Sequence, residues 1–384
     1  MTNTNMTALN IVFLCGALAF GPAPLAHAGS YSEIYRFKGG RDGAGPNAGL
    51  VNINGTLYGT TQFGGANNLG TVFSISPAGV ETVLHSFASG SDGFGPDSAL
   101  INVGGVLYGT TIGGGTSNNG TVFSITTSGV ETVLHSFNGT DGSSPASSLF
   151  EDRGVFYGTT FYGGSSEAGT VYALTMDGKE TTLYTFEGSY DGGFPDASLI
   201  KVGGLLYGTA QAGGAFQEGV VFSVTPKGGY KVVYSFGGAG GPNTPTGGLL
   251  NIGGTFYGVG YAGAENDNGG VYSVTPDGVE NVVYSFLGGS DGSTPGYVNL
   301  IHIGRTLFGT TIQGGPANRG TVFKVTTSGS DEKILHTFGK VGAGLYPTSG
   351  LILVDHYLCG TTQYGGDTKK CATYGCGTIF RIKP

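Results

Sequence analysis

Charged residues are scarce in this chain, and tryptophan is absent. Of 384 residues, 17 are Lys or Arg and 25 are Asp or Glu, which gives a net charge of −8. So few basic residues exclude the basic stripe with which proteins hold nucleic acid, and the acidic balance disfavours binding to anionic membranes. We therefore expect no nucleic-acid partner, and a neutral or cationic partner fits this composition better.

Long hydrophobic runs are also missing, except for one near the N-terminus. The run covers residues 8–20, and Ala26-His27-Ala28 follows it as a cleavage pattern. This combination is typical of a signal peptide, although no Lys or Arg precedes the run, and it is short for a membrane span. We predict a signal peptide over 1–28 and no transmembrane segment. The expected location is secreted, periplasmic or cell-envelope.

Cysteine is rare, with four residues in the chain. Cys371 and Cys376 close a short loop and are either a disulfide or two free thiols; an oxidising compartment favours the disulfide. Cys359 stands where other parts of the chain place Tyr or Phe, so we expect it to be buried. No His lies at ligand spacing from these thiols, and P-loop and dinucleotide patterns are absent. We therefore expect neither a metal site nor a cofactor.

The most regular feature that is present is a tetrapeptide of the type Leu-Tyr-Gly-Thr, which occurs seven times. Successive copies are 50, 49, 50, 50, 51 and 51 residues apart. Such a period is the signature of a solenoid, a propeller or another repeat array. The copies begin at Leu57, Leu107, Phe156, Leu206, Phe256, Leu307 and Leu358.

Each repeat divides into four short strands, a to d, separated by turns rich in glycine, which makes up 77 of the 384 residues. In the second repeat the pattern predicts strand a over 100–103, strand b over 106–111, strand c over 121–126 and strand d over 131–137. No stretch shows a helical period. The chain is therefore predicted to be all-β.

The two ends of the chain decide between a closed ring and an open solenoid. Residues 33–37 align with strand d, whereas residues 378–382 align with strand c. If the N-terminal strand completes the last repeat, the ring closes and no long sheet edge stays unpaired. We predict a seven-bladed β-propeller of four antiparallel strands per blade, as a single domain over residues 29–384.

The pattern GxLYGTTxxGG…GTVFSIT…GVETVLHSF…DGxxP resembles the GloVer tandem repeat of bacterial secreted, choice-of-anchor proteins, over residues 31–384. The order of its strands is similar to the kelch type of propeller. This resemblance implies a propeller and export, but no particular reaction. Members of the family commonly carry a C-terminal surface anchor, and this chain ends within its last repeat, so we expect no such tail.

Most conspicuous residues recur from repeat to repeat and are predicted to be architectural. Aromatic residues on strands b, c and d are expected to pack blade against blade, and the strand b glycine to let neighbouring backbones approach. His85, His135 and His336 align with tyrosines on strand d, which favours a packing role over that of a ligand or a base. An Asp-Gly pair recurs in five loops between strands d and a, and it predicts an Asx-turn rather than a calcium site. These aspartates are Asp42, Asp92, Asp141, Asp191 and Asp291.

The alternation of strands assigns the loops to two faces. The a–b and c–d turns lie on one face, and the b–c and d–a loops lie on the other. We call the second one the long-loop face, because its loops are longer and more varied. Twelve aromatic residues outside the repeated positions fall in these loops. A localised function is therefore predicted on this face.

Aromatic rings among Asn, Gln, Ser and Thr suit the stacking and hydrogen bonding of sugars, but they also suit the packing of loops on one another. The first interpretation predicts a monomeric binding module for a polysaccharide or an extracellular protein. The alternative is a polysaccharide-degrading enzyme, a glycoside hydrolase with paired carboxylates or a lyase with Tyr and Lys or Arg; its catalytic residues are unknown. The candidate ligand-binding residues are Tyr162, Tyr261, Tyr364, Glu265, Arg319 and Lys369 in the long loops, and His302 on a strand that lines the central channel.

Overall fold

A computed structural model describes residues 31–384 apart from 239, 298, 341, 370, 372 and 373. Seven antiparallel sheets form a seven-bladed β-propeller, and six of them have four strands. The fifth sheet gains a further strand, β18, from its d–a loop. The predicted fold class is confirmed. The predicted signal peptide lies outside the described residues.

The strands follow the repeat, with strand a the shortest in every blade. Two single-turn 3-10 helices, Gly40–Asp42 and Gly90–Asp92, lie in the first two d–a loops. In chain order, the strands are β1 Tyr31–Arg36; β2 Val51–Ile53, β3 Thr56–Thr61, β4 Thr71–Ile75 and β5 Glu81–Ser86 (first blade); β6 Ile101–Val103, β7 Val106–Thr111, β8 Thr121–Thr126 and β9 Glu131–Ser136 (second); β10 Phe150–Asp152, β11 Val155–Thr160, β12 Thr170–Thr175 and β13 Glu180–Thr185 (third); β14 Ile200–Val202, β15 Leu205–Ala210, β16 Val220–Val224 and β17 Tyr230–Ser235 (fourth); β18 Pro242–Pro245, β19 Leu250–Ile252, β20 Thr255–Gly263, β21 Gly270–Val274 and β22 Glu280–Ser285 (fifth); β23 Ile301–Ile303, β24 Thr306–Thr311, β25 Thr321–Thr326 and β26 Lys333–Thr337 (sixth); β27 Ile352–Val354, β28 Tyr357–Thr362 and β29 Thr378–Ile382 (seventh).

The N-terminal strand closes the ring. Strand β1 pairs antiparallel with β29, and Tyr31 lies opposite Ile382 while Arg36 lies opposite Thr378. The Phe37 N–H then donates to the Gly377 carbonyl at 3.0 Å. The seventh blade therefore takes its outermost strand from the beginning of the chain and its other three from the end, as the sequence predicted.

The hydrophobic core consists of seven clusters, one at each junction between neighbouring blades. At the first junction Phe87 of strand d packs edge-on against Phe123 of the next blade, with ring centroids 5.3 Å apart. At the closing junction Phe37 packs in the same way against Phe73, at 5.0 Å. All four rings are fully buried. The strand d and strand c aromatics thus join the blades, because each ring removes a large apolar area from water.

The strand b glycine makes room for a ring and not for a neighbouring backbone, which corrects the expectation from the sequence. Gly109 lies opposite Phe123 on the adjacent strand. A Cβ at Gly109 would stand 2.7 Å from Leu100 Cδ2 and 2.8 Å from Phe123 Cζ. Both distances are shorter than van der Waals contact, so the Gly of the tetrapeptide is needed because the strand c ring lies across it.

We expect Gly109→Ala to destabilise the protein by about 1–3 kcal/mol, the usual cost of overpacking a rigid core. Gly49→Ala is the matched control, because its Cβ would lie 3.5 Å from Ala99 Cβ and 3.8 Å from the Gly350 carbonyl oxygen, which are ordinary van der Waals contacts. Ala99 occupies the equivalent position in the next blade. The free energy of unfolding is measured by denaturant titration. Equal stability of the two variants would contradict this explanation of the tetrapeptide.

Candidate functional site

A cavity of about 720 Å³ lies at the long-loop end of the central channel. The stretch just before strand a lines it in every blade, and the b–c loops add Phe161, Ile312 and Gln363. Its volume lies in the range of sites for small ligands. The long loops are fixed around it, because d–a loops pair with the ends of strand b through short bridges such as Ser143–Tyr162 and Leu345–Tyr364.

A proline recurs shortly before strand a in each blade, and a residue that follows this proline contributes to the cavity lining. In the sixth blade one extra residue follows this proline, and Tyr297 takes the cavity position in a left-handed backbone conformation with φ of 56°. Only Ala146 in this ring lacks both a polar group and an aromatic ring. The ring consists of Asn47, Asp97, Ala146, Asp196, Thr246, Tyr297 and Thr348.

Asp97 is held at the junction between the first and second blades. The Asn47 side-chain amide donates to Asp97 Oδ1 at 3.0 Å and to Gln62 Oε1 at 3.1 Å. Burial raises the pKa of Asp97 to about 6, although the hydrogen bond from Asn47 lowers it in part. Asp97 therefore remains largely ionised at neutral pH and can accept hydrogen bonds from a ligand.

Asp196 lies two blades further along the ring, and Gln211 donates a hydrogen bond to its carboxylate. Burial, with a smaller contribution from the charge of Asp97, raises the pKa of Asp196 to about 8. Its Oδ1 and Asn47 Oδ1 are both buried and accept no hydrogen bond from the part of the chain that the structure describes. Such atoms are costly unless a ligand or water pairs with them.

Tyr297 extends from the sixth blade towards this pair of carboxyl groups. Burial of its hydroxyl group raises its pKa, and the charge of Asp196 raises it further. Its backbone N–H donates to Thr246 Oγ1 at 3.2 Å, while 55% of the residue remains exposed. The cavity thus offers one accessible aromatic face next to two carboxyl groups and several amides.

Of the residues that the sequence singled out, Tyr261 packs against a residue of the cavity lining, Tyr297. Its ring is edge-on to that of Tyr297, with centroids 6.5 Å apart. Tyr162 is 46% exposed and packs edge-on against Phe161, which lines the cavity. Glu265 and Lys369 are exposed loop residues outside the lining.

Arg319 and Tyr364 come together with two further tyrosines, away from the cavity lining. The Arg319 guanidinium carbon lies 4.9 Å from the Tyr346 ring centroid and 5.5 Å from that of Tyr374. The Tyr364 ring centroid lies 5.9 Å from that of Tyr346 and 5.7 Å from that of Tyr374. A disulfide joins Cys371 to Cys376, with Cα atoms 5.2 Å apart, and thus closes the loop that carries Tyr374. Cys359 is buried.

His302 lies at the other end of the channel. Its Nδ1 is 3.1 Å from the Gly304 carbonyl oxygen, and the residue is exposed. The equivalent Asn52, Asn102 and Asn251 each accept a hydrogen bond from the N–H three residues later, at 2.9 Å. These strand a side chains therefore close the a–b turns and are not part of the cavity lining.

The structure also reveals a set of titratable residues at the outer junctions between blades. Each set joins the His or Tyr of strand d, the Asp of the following d–a loop and a residue at the start of strand d in the next blade; Glu332 directly precedes its strand, and the others are the first residue of theirs. The Asp does not form the expected Asx-turn: Asp92 Oδ2, for example, accepts from the Ala88 N–H at 2.7 Å, and Asp92 Oδ1 pairs with His85 Nε2 at 2.9 Å. The sets are Tyr35–Asp42–Glu81, His85–Asp92–Glu131, His135–Asp141–Glu180, Tyr184–Asp191–Tyr230 and Tyr284–Asp291–Glu332.

Within the described residues, no helix has the length and apolar character needed to cross a membrane.

Solved structures with a similar fold have low sequence identity to this chain. Oligogalacturonate lyase in complex with manganese matches with a TM-score of 0.53 and 11% identity, over 92% of this chain and 90% of that one. A chain of the nidogen/laminin complex gives a TM-score of 0.43 and 16% identity, over 70% of this chain and 91% of that one. TolB from Acinetobacter baumannii gives 0.42 and 15%, over 70% and 59%. These likenesses concern the fold alone.

No curated protein matches the chain in sequence. The model of the Gloeobacter/Verrucomicrobia repeat matches twice, over residues 24–155 and 132–302, and these matches together cover more than half of the chain. They bear out the resemblance that the tetrapeptide and its flanking motifs indicated. The chain belongs to the Gloeobacter/Verrucomicrobia repeat family.

Proposed function

We propose that the cavity at the long-loop end of the channel binds a sugar residue of a glycan. The observation that carries this proposal is the arrangement of Tyr297, Asp97 and Asp196 around one small concave space. Sugars present an apolar ring face, which stacks on an aromatic side chain, and hydroxyl groups, which pair with carboxylates and amides. The buried oxygens of Asn47 and Asp196 without a donor among the described residues are suitable acceptors for those hydroxyl groups.

The size of the cavity favours the end or a single unit of a glycan over a folded protein. A specific protein interface needs on the order of 800 Å² on each partner, whereas this site is concave and confined to the channel. The surrounding long loops add exposed rings, such as Tyr162 and Phe63. These rings could contact further sugar units outside the cavity.

A glycan array with the full chain tests the proposal, followed by titration of the best oligosaccharide. We expect Asp97→Ala to weaken binding at least tenfold, since a hydrogen bond to a charged group contributes about 1.5–3 kcal/mol. We expect Tyr297→Ala to weaken it to a similar extent, because it removes the aromatic face on which the sugar ring stacks. Ala146 already occupies the position of Asp97 in the third blade, so Asp97→Ala is compatible with the fold. Tyr190→Ala is the control, because Tyr190 is 76% exposed and lies outside the cavity; we expect its affinity to stay within about twofold.

If no neutral or acidic glycan binds, or if Tyr190→Ala weakens binding as much as the cavity variants, the proposed site is wrong. Retention on an extracellular protein in place of any glycan would favour a protein partner instead.

A second candidate is glycoside hydrolysis in the same cavity, and the two unequal carboxyl groups favour it. At pH 7 the pKa of about 8 keeps Asp196 protonated, while Asp97, with a pKa of about 6, is mostly ionised. Such a pair can divide the roles of acid and base. Asp196 would protonate the leaving glycosidic oxygen, and Asp97 would take a proton from the attacking water, so that the C–O bond breaks and a hemiacetal forms.

Reducing-end release from the glycan that binds separates this candidate from simple binding. Turnover that Asp196→Asn abolishes without loss of affinity would support hydrolysis, and binding without new reducing ends would exclude it for that glycan. An unsaturated product would instead indicate elimination. Oligogalacturonate lyase shows that a similar fold accommodates an enzyme, but at 11% identity it assigns no reaction to this chain.

We further propose that the protein acts outside the cytoplasm. The disulfide between Cys371 and Cys376 supports this location, because disulfides persist in oxidising compartments. The signal-peptide pattern of residues 1–28 points the same way.

A further inference from the structure

We propose that His85, Asp92 and Glu131 bind one divalent transition-metal ion, such as Zn²⁺, at the outer junction between the first and second blades. One ligand atom from each residue lies within 4.8 Å of the other two. His85 Nε2 and Asp92 Oδ1 are 2.9 Å apart. One imidazole and two carboxylates form a donor set that zinc accepts, with water in the fourth position.

The fold fixes two of the three ligands in advance. Asp92 Oδ2 accepts a hydrogen bond from the Ala88 N–H at 2.7 Å, which leaves Oδ1 directed at the imidazole. The His85 ring is edge-on to the buried Phe87, with centroids 4.8 Å apart. Zinc ligands lie about 2.0–2.2 Å from the ion. Tetrahedral ligands at this distance are about 3.4 Å apart, so His85 Nε2 and Asp92 Oδ1 would separate slightly to admit the ion. Small rotations of these partly exposed side chains allow this change.

Glu131 distinguishes this junction from the other one that also has a His, which is the His135–Asp141–Glu180 junction. Its Oε1 is buried and has no hydrogen-bond partner among the described residues. At the next junction the equivalent Glu180 accepts a hydrogen bond from Thr182 Oγ1 at 3.0 Å, whereas Val133 stands at that position beside Glu131. The other junctions with this set have Tyr in place of His, so only here do His, Asp and an unpaired Glu oxygen coincide.

The charge at this junction also favours a cation. The Asp92 and Glu131 carboxylates lie together, partly buried, at this junction. At the closing junction the equivalent Glu81 has the Lys38 charge nearby. Among the described residues, no lysine or arginine charge acts in this way on Glu131. A divalent ion would neutralise both carboxylates and satisfy the free oxygen.

Calorimetric titration of ZnCl₂ into the tag-free, chelator-treated full chain tests this proposal. We expect one site with a dissociation constant in the micromolar range and an increase in Tm on binding. His85→Tyr and Glu131→Gln should each weaken binding at least tenfold. Both changes suit the fold, because Tyr occupies the His85 position in four other strands and Gln is isosteric with Glu.

Two further variants separate a metal site from general carboxylate binding. His135→Tyr changes the neighbouring junction, where Thr182 engages the Glu, and should leave the zinc affinity within twofold. Val133→Thr should weaken binding, because it gives Glu131 the hydroxyl partner that Glu180 has. No saturable binding to the wild-type chain, or equal loss in His85→Tyr and His135→Tyr, would overturn the proposal.

Discussion

Removal of residues 31–37 is expected to cause aggregation or a loss of most of the stability of the domain. These residues form the outer strand of the seventh blade, and their deletion exposes the whole edge of β29. The deletion also removes Phe37, which is fully buried against Phe73. Loss of one such ring alone lowers the free energy of unfolding by about 3–5 kcal/mol. Domains have a total stability of only about 5–15 kcal/mol. The measurements are soluble yield and Tm.

A circular permutant supplies the matched control for this deletion. Lys383 and Pro384 align with Ser76 and Pro77, which open the turn between strands c and d of the first blade. The permutant begins at Lys38 and carries Ala-Gly-Val and then residues 31–37 after Pro384, so that it copies this turn. We expect it to regain the stability of the parent chain. A truncated chain as stable as the parent, or a permutant as unstable as the truncation, would contradict closure by β1.

The repeat period and the strands with which the two chain ends align were sufficient to predict the fold. Both follow from the order of the strands along the chain. The cavity was harder to predict. The sequence drew attention to the middle of strand a, including His302, whereas those side chains close the a–b turns. Spacing alone does not show that the residue after each proline, such as Asp97 or Asp196, faces the channel.

The unusual position of Tyr297 could have been inferred from the spacing of the repeats. The fifth and sixth copies of the tetrapeptide are 51 residues apart, and the added residue falls directly before strand a. An insertion at a repeated position changes which side chain faces the channel. The direction of the Tyr297 side chain, however, depends on a left-handed backbone conformation that Tyr rarely adopts. That conformation could not be predicted from the sequence.

At the outer junctions, too, contacts between residues close in the sequence could be inferred, whereas contacts between distant residues could not. His85 and Asp92 are seven residues apart, and the equivalent pairs recur in other repeats at six or seven residues, so their contact could have been inferred. Glu131 lies 39 residues beyond Asp92 and joins them only because adjacent blades pack side by side. The sequence therefore predicted a packing role for His85, whereas the structure gives it charged neighbours.

The glutamates of these junctions are expected to make the propeller less stable at mildly alkaline pH than at mildly acidic pH. Burial, as the largest cause, raises the pKa of Glu81, Glu180 and Glu332 to about 7, from an unfolded value near 4.5. The folded state therefore binds protons more tightly than the unfolded state. This stabilisation is complete below about pH 4.5 and is lost as the pH rises through 7. Asp196, with a pKa of about 8, acts in the same direction.

One histidine opposes this trend, but only at lower pH. Burial, with help from the charge of Lys340, lowers the pKa of His336 to about 4. The folded state then resists protonation of His336, so stability falls as the pH drops below about 6.5, the ordinary pKa of histidine. Between pH 6.5 and pH 8 the carboxyl groups alone decide the slope. Because three glutamates act against this one histidine, the net stability is expected to keep rising as the pH falls from 8 to about 5.

We expect Tm to fall on the order of 5 °C between pH 6 and pH 8, measured with chelator present so that bound metal does not contribute. The variant that combines Glu81→Gln, Glu180→Gln and Glu332→Gln provides the control. Glutamine reproduces the size and hydrogen bonding of a protonated glutamate but cannot ionise, so this variant should be more stable than the parent at pH 8 and should show a flatter profile. A parent Tm that rises from pH 6 to pH 8, or an unchanged slope in the variant, would show that these carboxyl groups remain ionised without cost in the folded protein.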